Sequence, residues 1–299
     1  MSKLTSSPLQ ILPKSQTGEY LRVTPDTAGW EHLSFAARSM KRDEEWEAVT
    51  GESEYGLVIL GGVCSVSSSR GNWPLIGRRP DVFSGMPYAL YLPPKTQFCV
   101  TAKSEQLDLA YGWCAARGLH PPCLVTPQNV LIELRGGGNA TRQINSIFPP
   151  GFGCERLVAV EVYTPAGNWS SYPPHKHDVH RVDEDGRLLE ADLEEVYFYK
   201  ITPSQGYAVQ RVYTSDGRLD ETIVARQNQA VLVPEGYHPV AAAPGYTTYY
   251  LNFLAGSAQS LANSDDPLHA WVKDSWREKD PRVPVVSLAM EPAGGSQDL

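Results

Sequence analysis

Short apolar runs, each cut off by proline, glycine or a polar pair, set the pattern along this chain. "YGLVILGG" (55–62), "YALYLPP" (88–94), "QFCVTA" (97–102), "RLVAVEVYTP" (156–165), "EEVYFYKI" (194–201), "YAVQRVYT" (207–214), "QAVLVPEG" (229–236) and "YTTYYLNFLAG" (246–256) are strand-sized and rich in Val, Ile, Leu and Tyr. Runs of this kind bounded by turn residues predict β-strands. Helical periodicity is weak. It predicts helices only near "AARSMKRDEEWEAV" (36–49) and "HAWVKDSW" (269–276). The expected fold class is therefore all-β, a sandwich or barrel.

The strand pattern occurs twice. "EYGLVILGGVCSVS", "MPYALYLPPKTQFCVTA" and "LDLAYGWC" are followed by "EEVYFYKITPSQGYAVQRVYT" and "NQAVLVPEGYHPVAAAPGYTTYYLNF". "LYLPPKTQFCVTA" parallels "VLVPEGYHPVAAA", but only the second carries a histidine. This predicts two β-barrels in one chain. Residues 1–134 form an N-terminal half with no metal site. A Gly-rich linker, "RGGGNATRQINSIFPPGFG", spans 135–153. Residues 154–299 form a C-terminal half that holds the site. The tail from about Asp265 is expected to pack across the body.

Composition narrows the partners. The chain has 299 residues and a formal net charge of −8. An acidic balance argues against nucleic acid as a main partner, because neutralising phosphates takes a basic surface. "MSKLTSSPLQILPK" lacks the apolar core of a signal peptide. The longest apolar run, "LVILGGVCSV" (57–66), is too short to span a membrane. Cys64, Cys99, Cys114, Cys123 and Cys154 form no CxxC pair and read as reduced thiols in the cytoplasm. The sequons at Asn139 and Asn168 are then accidental.

The candidate chemistry starts at "YPPHKHD" (172–178). On a strand, residues two apart face the same side, so His175 and His177 point into one cavity. "LEEVYFYK" supplies a carboxylate, Glu194 or Glu195, on an antiparallel neighbour. "VPEGYHPV" adds His238 after a turn. Three imidazoles and a carboxylate suit Zn, Mn, Fe, Co or Ni. His180 reads as a loop residue, and His32, His120 and His269 as structural. "RGGGNATRQ" lacks the Lys-Ser/Thr of a phosphate loop, and no serine-hydrolase elbow is present.

HxH, then Glu, then Pro-x-Gly-x-His resembles the two cupin motifs. "NWSSYPPHKHD", "LEEVYFYK", "QRVYT", "VLVPEGYHPV", "YYLNFLAG" and "TRQI" resemble more closely the 5-deoxy-glucuronate isomerase family of myo-inositol catabolism, akin to 5-keto-4-deoxyuronate isomerase. The resemblance implies a bicupin with an empty first barrel and a divalent metal, zinc first, on His175, His177, Glu195 and His238. Glu195 is favoured over Glu194 because related uronate isomerases place a Glu directly before "VYFY". The implied reaction is an aldose–ketose isomerisation of 5-deoxy-glucuronate to 2-deoxy-5-keto-gluconate. A guanidinium fork suits the carboxylate of this small anionic sugar acid. Arg142 is the first choice and Arg211 the second. Trp169 and Tyr249 are expected to line the sugar pocket, and Tyr197 and Tyr250 are candidates for moving protons. A homo-oligomer is expected. A metal-dependent dioxygenase and a non-catalytic sugar-binding cupin are the rival readings.

Overall fold

The computed structural model describes residues 7–290. The outer ends of both predicted halves, including the first six residues of the segment read for a signal peptide, lie outside the described residues. Among those described, no helix is long and apolar enough to cross a membrane.

Strands dominate, as the apolar runs predict. The first half contributes β1 (Gln10–Ile11), β2 (Gly18–Val23), β3 (Ser34–Lys41), β4 (Glu45–Val49), β5 (Ser53–Gly61), β6 (Cys64–Ser68), β7 (Gly71–Ile76), β8 (Tyr88–Leu92), β9 (Gln97–Ala102), β10 (Gln106–Ala115) and β11 (Cys123–Val125). The second contributes β12 (Leu131–Arg135), β13 (Arg142–Phe148), β14 (Val158–Thr164), β15 (Trp169–Ser170), β16 (His175–Lys176), β17 (Asp178–Val182), β18 (Leu188–Thr202), β19 (Ala208–Tyr213), β20 (Asp220–Ala225), β21 (Ala230–Val233), β22 (Val240–Ala242), β23 (Thr247–Gly256) and β24 (Ser264–Asp265). In the first barrel the sheet β11-β8-β5-β10-β3-β2 accompanies β4-β9-β6-β7. In the second, β1-β21-β18-β23-β14-β13-β12, with β17 beside β18, accompanies β15-β22-β19-β20. The strand pairs are antiparallel throughout.

The helix expected at 36–49 is instead β3, a turn and β4. Ala36 and Met40 are four apart, a spacing that fits both a helix and one face of a strand. Glu45-Trp46-Glu47-Ala48 settles the period, because exposure alternates residue by residue along it. Asp43 makes the turn at φ 64°. The second predicted helix is a 3₁₀ turn at Ala270–Ser275. The Gly-rich stretch 135–153 holds β13, which pairs with β12 and β14 inside the larger sheet. β1 pairs with β21 at the other edge, so the sheet of the second barrel is closed on one side by the start of the chain.

The two large sheets pack back to back. Phe35 on β3 lies 5.5 Å from Phe198 and 5.9 Å from Phe253, ring to ring. Gly112 and Gly56 face one another across β10 and β5. A Cβ on Gly112 would stand 2.4 Å from the Phe253 ring, and one on Gly56 2.4 Å from the Phe148 ring. The two glycines therefore form the seat for both phenyl rings. Gly112→Ala overpacks this seam and is expected to cost about 1–3 kcal/mol of stability, read as a lower denaturation midpoint. An unchanged midpoint would show that the barrels can separate slightly without loss.

Alternation sorts the larger sheet into two faces. Asn145, Glu161, Tyr163, Tyr249 and Phe253 face the first barrel, while their neighbours Ile144, Val160, Val162, Tyr250 and Asn252 line a cavity inside the second.

Candidate metal centre

That cavity has a volume of about 110 Å³. His177 and Glu195 line it, and His238 meets them there from behind, with the ligand atoms of the three all within 4.8 Å of one another. Leu193, Glu194 and Glu195 run consecutively along β18, and strand alternation turns Glu195 inward. Glu194 points the opposite way, so the choice between the two carboxylates falls on Glu195. His177 lies between β16 and β17. Its backbone carbonyl accepts from Leu193 N at 2.8 Å. His238 follows the Pro234–Gly236 turn, where Gly236 adopts φ 84° and its N–H donates to Asp178 Oδ2 at 2.8 Å. Asp178 thus ties the turn that carries His238 to the segment that carries His177.

The tautomers follow from the partners. Nδ1 of His177 lies 3.0 Å from Leu193 O, and Nδ1 of His238 lies 2.9 Å from Gly236 O. A carbonyl only accepts, so both Nδ1 atoms carry the proton. That turns both Nε2 atoms toward the carboxylate, and His177 Nε2 holds a proton shared with Glu195 that it gives up on binding a cation. The two Nε2 atoms lie 3.0 Å and 3.4 Å from the same oxygen, Glu195 Oε2. His238 Nε2 is buried and has no hydrogen-bond partner among the described residues. A buried polar atom without a partner costs about 1–3 kcal/mol, and a cation held by both nitrogens and the carboxylate satisfies it. Histidines oriented by backbone carbonyls behind them are the arrangement that metal-ligating imidazoles use. The residues present fit a divalent ion.

His175 stands beside this trio. Its ring lies 4.8 Å from that of His238 and 6.3 Å from that of His177. β16 holds it by pairing His175 with Asp265 of β24, so the C-terminal tail closes over the site. Burial, with the nearby charges of His177 and Arg142, pushes His175 down to about 3. Burial also holds His238 well below its usual value. Both are thus neutral and available as ligands. Burial, the largest influence, opposes a charge on His177, but the hydrogen bond and charge of Glu195 with the backbone hydrogen bonds together raise its pKa. Burial raises Glu195, against the pull of His177.

Arg142 reaches the same cavity from β13. Its Nη1 donates to the carbonyls of Ala140 and Tyr172 at 3.2 and 3.0 Å, and none of the described carboxylates pairs with it. Burial lowers it to about 10, which leaves it cationic at neutral pH. Tyr197 and Tyr250 face the cavity on β18 and β23, and Ser171 Oγ lies 3.0 and 3.3 Å from their hydroxyls. Burial raises both phenols, so they stay protonated.

The other expected residues lie elsewhere. Tyr249 donates to Glu161 at 2.9 Å on the seam between the barrels. Tyr249 and Tyr250 are adjacent, so one strand cannot turn both into the cavity. Arg211 is exposed and forms a two-point pair with Asp220 at 2.7 and 2.8 Å. Trp169 is 40% exposed and lines a separate groove with Tyr172, Trp271 and Trp276. Glu133 and Arg135, an ion pair on β12, line the cavity but were not singled out from sequence. The signal was there: in "LIELR" the two charges are two apart and so share a face. Ser171 carried no comparable signal.

A pair of jelly-roll barrels in one chain, the second enclosing a buried His/Glu/His cluster, defines a bicupin. The chain belongs to the KduI/IolB family, whose model matches residues 10–272. It is 42% identical over 262 residues to the 5-deoxy-glucuronate isomerase of Geobacillus thermodenitrificans, covering 87% of this chain and 93% of that protein. It is 35% identical over 272 residues to the protein of the same name in Halalkalibacterium halodurans, covering 88% and 98%. The crystal structure of an IolB-like protein from Salmonella typhimurium superposes with a TM-score of 0.84 at 37% identity, over 88% of this chain and 98% of that one. Oxalate decarboxylase of Lactobacillus farciminis superposes with a TM-score of 0.62 at 10% identity, over 87% and 89%, a likeness of fold alone.

Proposed function

We propose that this protein is a metal-dependent 5-deoxy-glucuronate isomerase that yields 2-deoxy-5-keto-gluconate. The relatives' names support the reaction. The observation that carries the site is His238 Nε2, without a hydrogen-bond partner among the described residues and aimed with His177 Nε2 at Glu195, beside a cavity that also holds a guanidinium with which none of the described carboxylates pairs. His177, Glu195 and His238, with His175 beside them, would hold a divalent ion, zinc first by ligand type. Such an ion supplies Lewis-acid polarisation of the substrate's carbonyl and hydroxyl oxygens.

The chain's own groups bind the substrate and move its oxygen-bound protons, while the carbon-bound proton passes separately from the hydroxyl-bearing carbon to the former aldehyde carbon. Arg142 receives the carboxylate of the sugar acid and fixes which end enters. Tyr197 and Tyr250, kept protonated by burial, donate to the two oxygens whose protons must exchange. Ser171 connects their hydroxyls, so a proton leaving one oxygen can be passed to the other. The low dielectric of the cavity strengthens each of these contacts. The free thiols of all five cysteines agree with a reducing cytoplasm.

Metal analysis followed by an anaerobic assay with 5-deoxy-glucuronate tests the reading. Turnover by metal-loaded protein without oxygen is expected, and its absence would overturn the assignment. Arg142→Gln is expected to remove a charged hydrogen bond of about 1.5–3 kcal/mol and to raise KM roughly tenfold to hundredfold. Arg211→Gln, which changes only an exposed pair, is expected to leave KM within about twofold. Equal effects of the two substitutions would remove Arg142 from the carboxylate site.

A further inference from the structure

The two barrels grip each other through a matched pair of carboxylates. Glu194 on β18 accepts from the backbone N–H groups of Glu31, His32 and Leu33 in the first half. His32 N lies 3.1 Å from Oε1 and 2.9 Å from Oε2, and Leu33 N lies 2.7 Å from Oε2. Glu54 on β5 does the reverse. It accepts from the N–H groups of Glu155, Arg156 and Leu157 in the second half at 2.8, 2.8 and 3.0 Å. "SEYGLV" and "LEEVYF" occupy matching places in the repeat, so Glu54 and Glu194 are counterparts. Carboxylates that accept several backbone N–H groups make strong, directional contacts.

The two clasps differ in their surroundings. Beside Glu54 stands Tyr55, stacked 5.4 Å from Trp113 and close to Phe98 and Tyr111. Aromatic rings fill the core of the first barrel there. Beside Glu194 stand the two residues that build the metal centre. Leu193 O orients the imidazole of His177, Leu193 N holds the backbone of His177, and Glu195 is the carboxylate ligand candidate. Three consecutive residues of β18 thus face inward, outward and inward in function, and the outward one is locked to the other barrel.

We propose that Glu194 is a positioning residue for the metal centre, through which the first barrel raises the metal affinity of the second. The inference rests on the metal site proposed above. With Glu194 engaged, β18 is pinned between the Glu31–Leu33 loop and the centre. Leu193 O and Glu195 are then held where two imidazoles can use them. Without it, the strand end relaxes and the ligand set loses preorganisation. Outer partners of metal ligands commonly contribute tenfold to a hundredfold in affinity.

The test compares Glu194→Gln with Glu54→Gln in the full chain. Gln keeps the shape but places an NH₂ group against a backbone donor. Metal affinity is measured by competition with a chelator, using zinc and, separately, cobalt for its absorption spectrum. Thermal midpoints are recorded for both apo-proteins. Expected is about tenfold weaker metal binding and an altered cobalt spectrum for Glu194→Gln, and affinity within about twofold of native for Glu54→Gln, at similar losses of midpoint. Equal affinities in both variants, or equal losses in both, would overturn the proposal and leave Glu194 as a clasp only. Should Glu194→Gln fail to fold, Glu194→Asp takes its place with the same outcomes. A native protein that binds no metal would instead overturn the metal site itself, which separates the two failures.

Discussion

Glu195→Ala is expected to abolish stoichiometric metal binding and to lower turnover about a thousandfold. Lewis-acid stabilisation contributes several kcal/mol, and each 1.36 kcal/mol is tenfold in rate. The substitution takes away the one oxygen that both Nε2 atoms approach, Oε2 at 3.0 and 3.4 Å. Two neutral imidazoles remain with no anionic ligand between them, and the ion's charge is left uncompensated in a buried site. The shell around the cavity is otherwise untouched, so the circular dichroism spectrum should match that of the native protein. Metal content and turnover measured on the same sample decide the matter. Native-like metal content would place the ion away from this cluster. Native-like turnover without metal would remove the ion from the reaction.

The second large effect lies at the seam between the barrels. Arg79 and Glu161 pair with side-chain exposures of 1% and 0%. Burial works against the Arg79 charge, and Glu161 with the neighbouring tyrosines more than restores it. Arg79 also donates to Ile59 O at 2.8 and 3.1 Å, and Glu161 accepts from Tyr249. Glu161→Gln leaves a buried guanidinium without its anion and is expected to cost about 3–5 kcal/mol of stability, read by chemical denaturation. The double substitution Arg79→Met with Glu161→Leu removes both charges together. It is expected to recover most of that loss, because a buried ion pair is offset by its own desolvation. A double variant as unstable as the single one would mean that the surrounding hydrogen bonds, rather than the pair, hold the seam. Activity serves as a control in both, since this face of β14 points away from the cavity.

Much of the site was legible because β-structure writes its faces into alternate residues. The strand runs, the two-fold repeat, the HxH pair and the later histidine all follow from patterns a few residues long. His177, Glu195 and His238 come together as that pattern implies, and Arg142 lines their cavity. The misplaced residues fail for a common reason. Tyr249 is as apolar and as aromatic as Tyr250, and composition cannot say which of the two a strand turns inward. Arg211 stands in a good strand, but Asp220 on the neighbouring strand takes up its guanidinium. Trp169 lies close in sequence to the histidines, yet β15 places it on an outer groove. The helix expected at 36–49 shows the same limit in one dimension, since a four-residue spacing fits two periods.

The sequence by itself determined the class of fold and the repeated strand pattern, and it marked the candidate donors, because local hydrophobic period, turn residues and ligand chemistry are properties of short segments. Tertiary structure decided the rest. Only the packing of one large sheet on the other says which face of β18 looks into the second barrel, and hence that Glu195 meets the histidines while Glu194 holds the first barrel. That face is set by contacts between residues more than a hundred apart, such as Phe35 with Phe198 and Glu194 with Leu33. No local pattern encodes them, because they exist only once both sheets have formed and found each other.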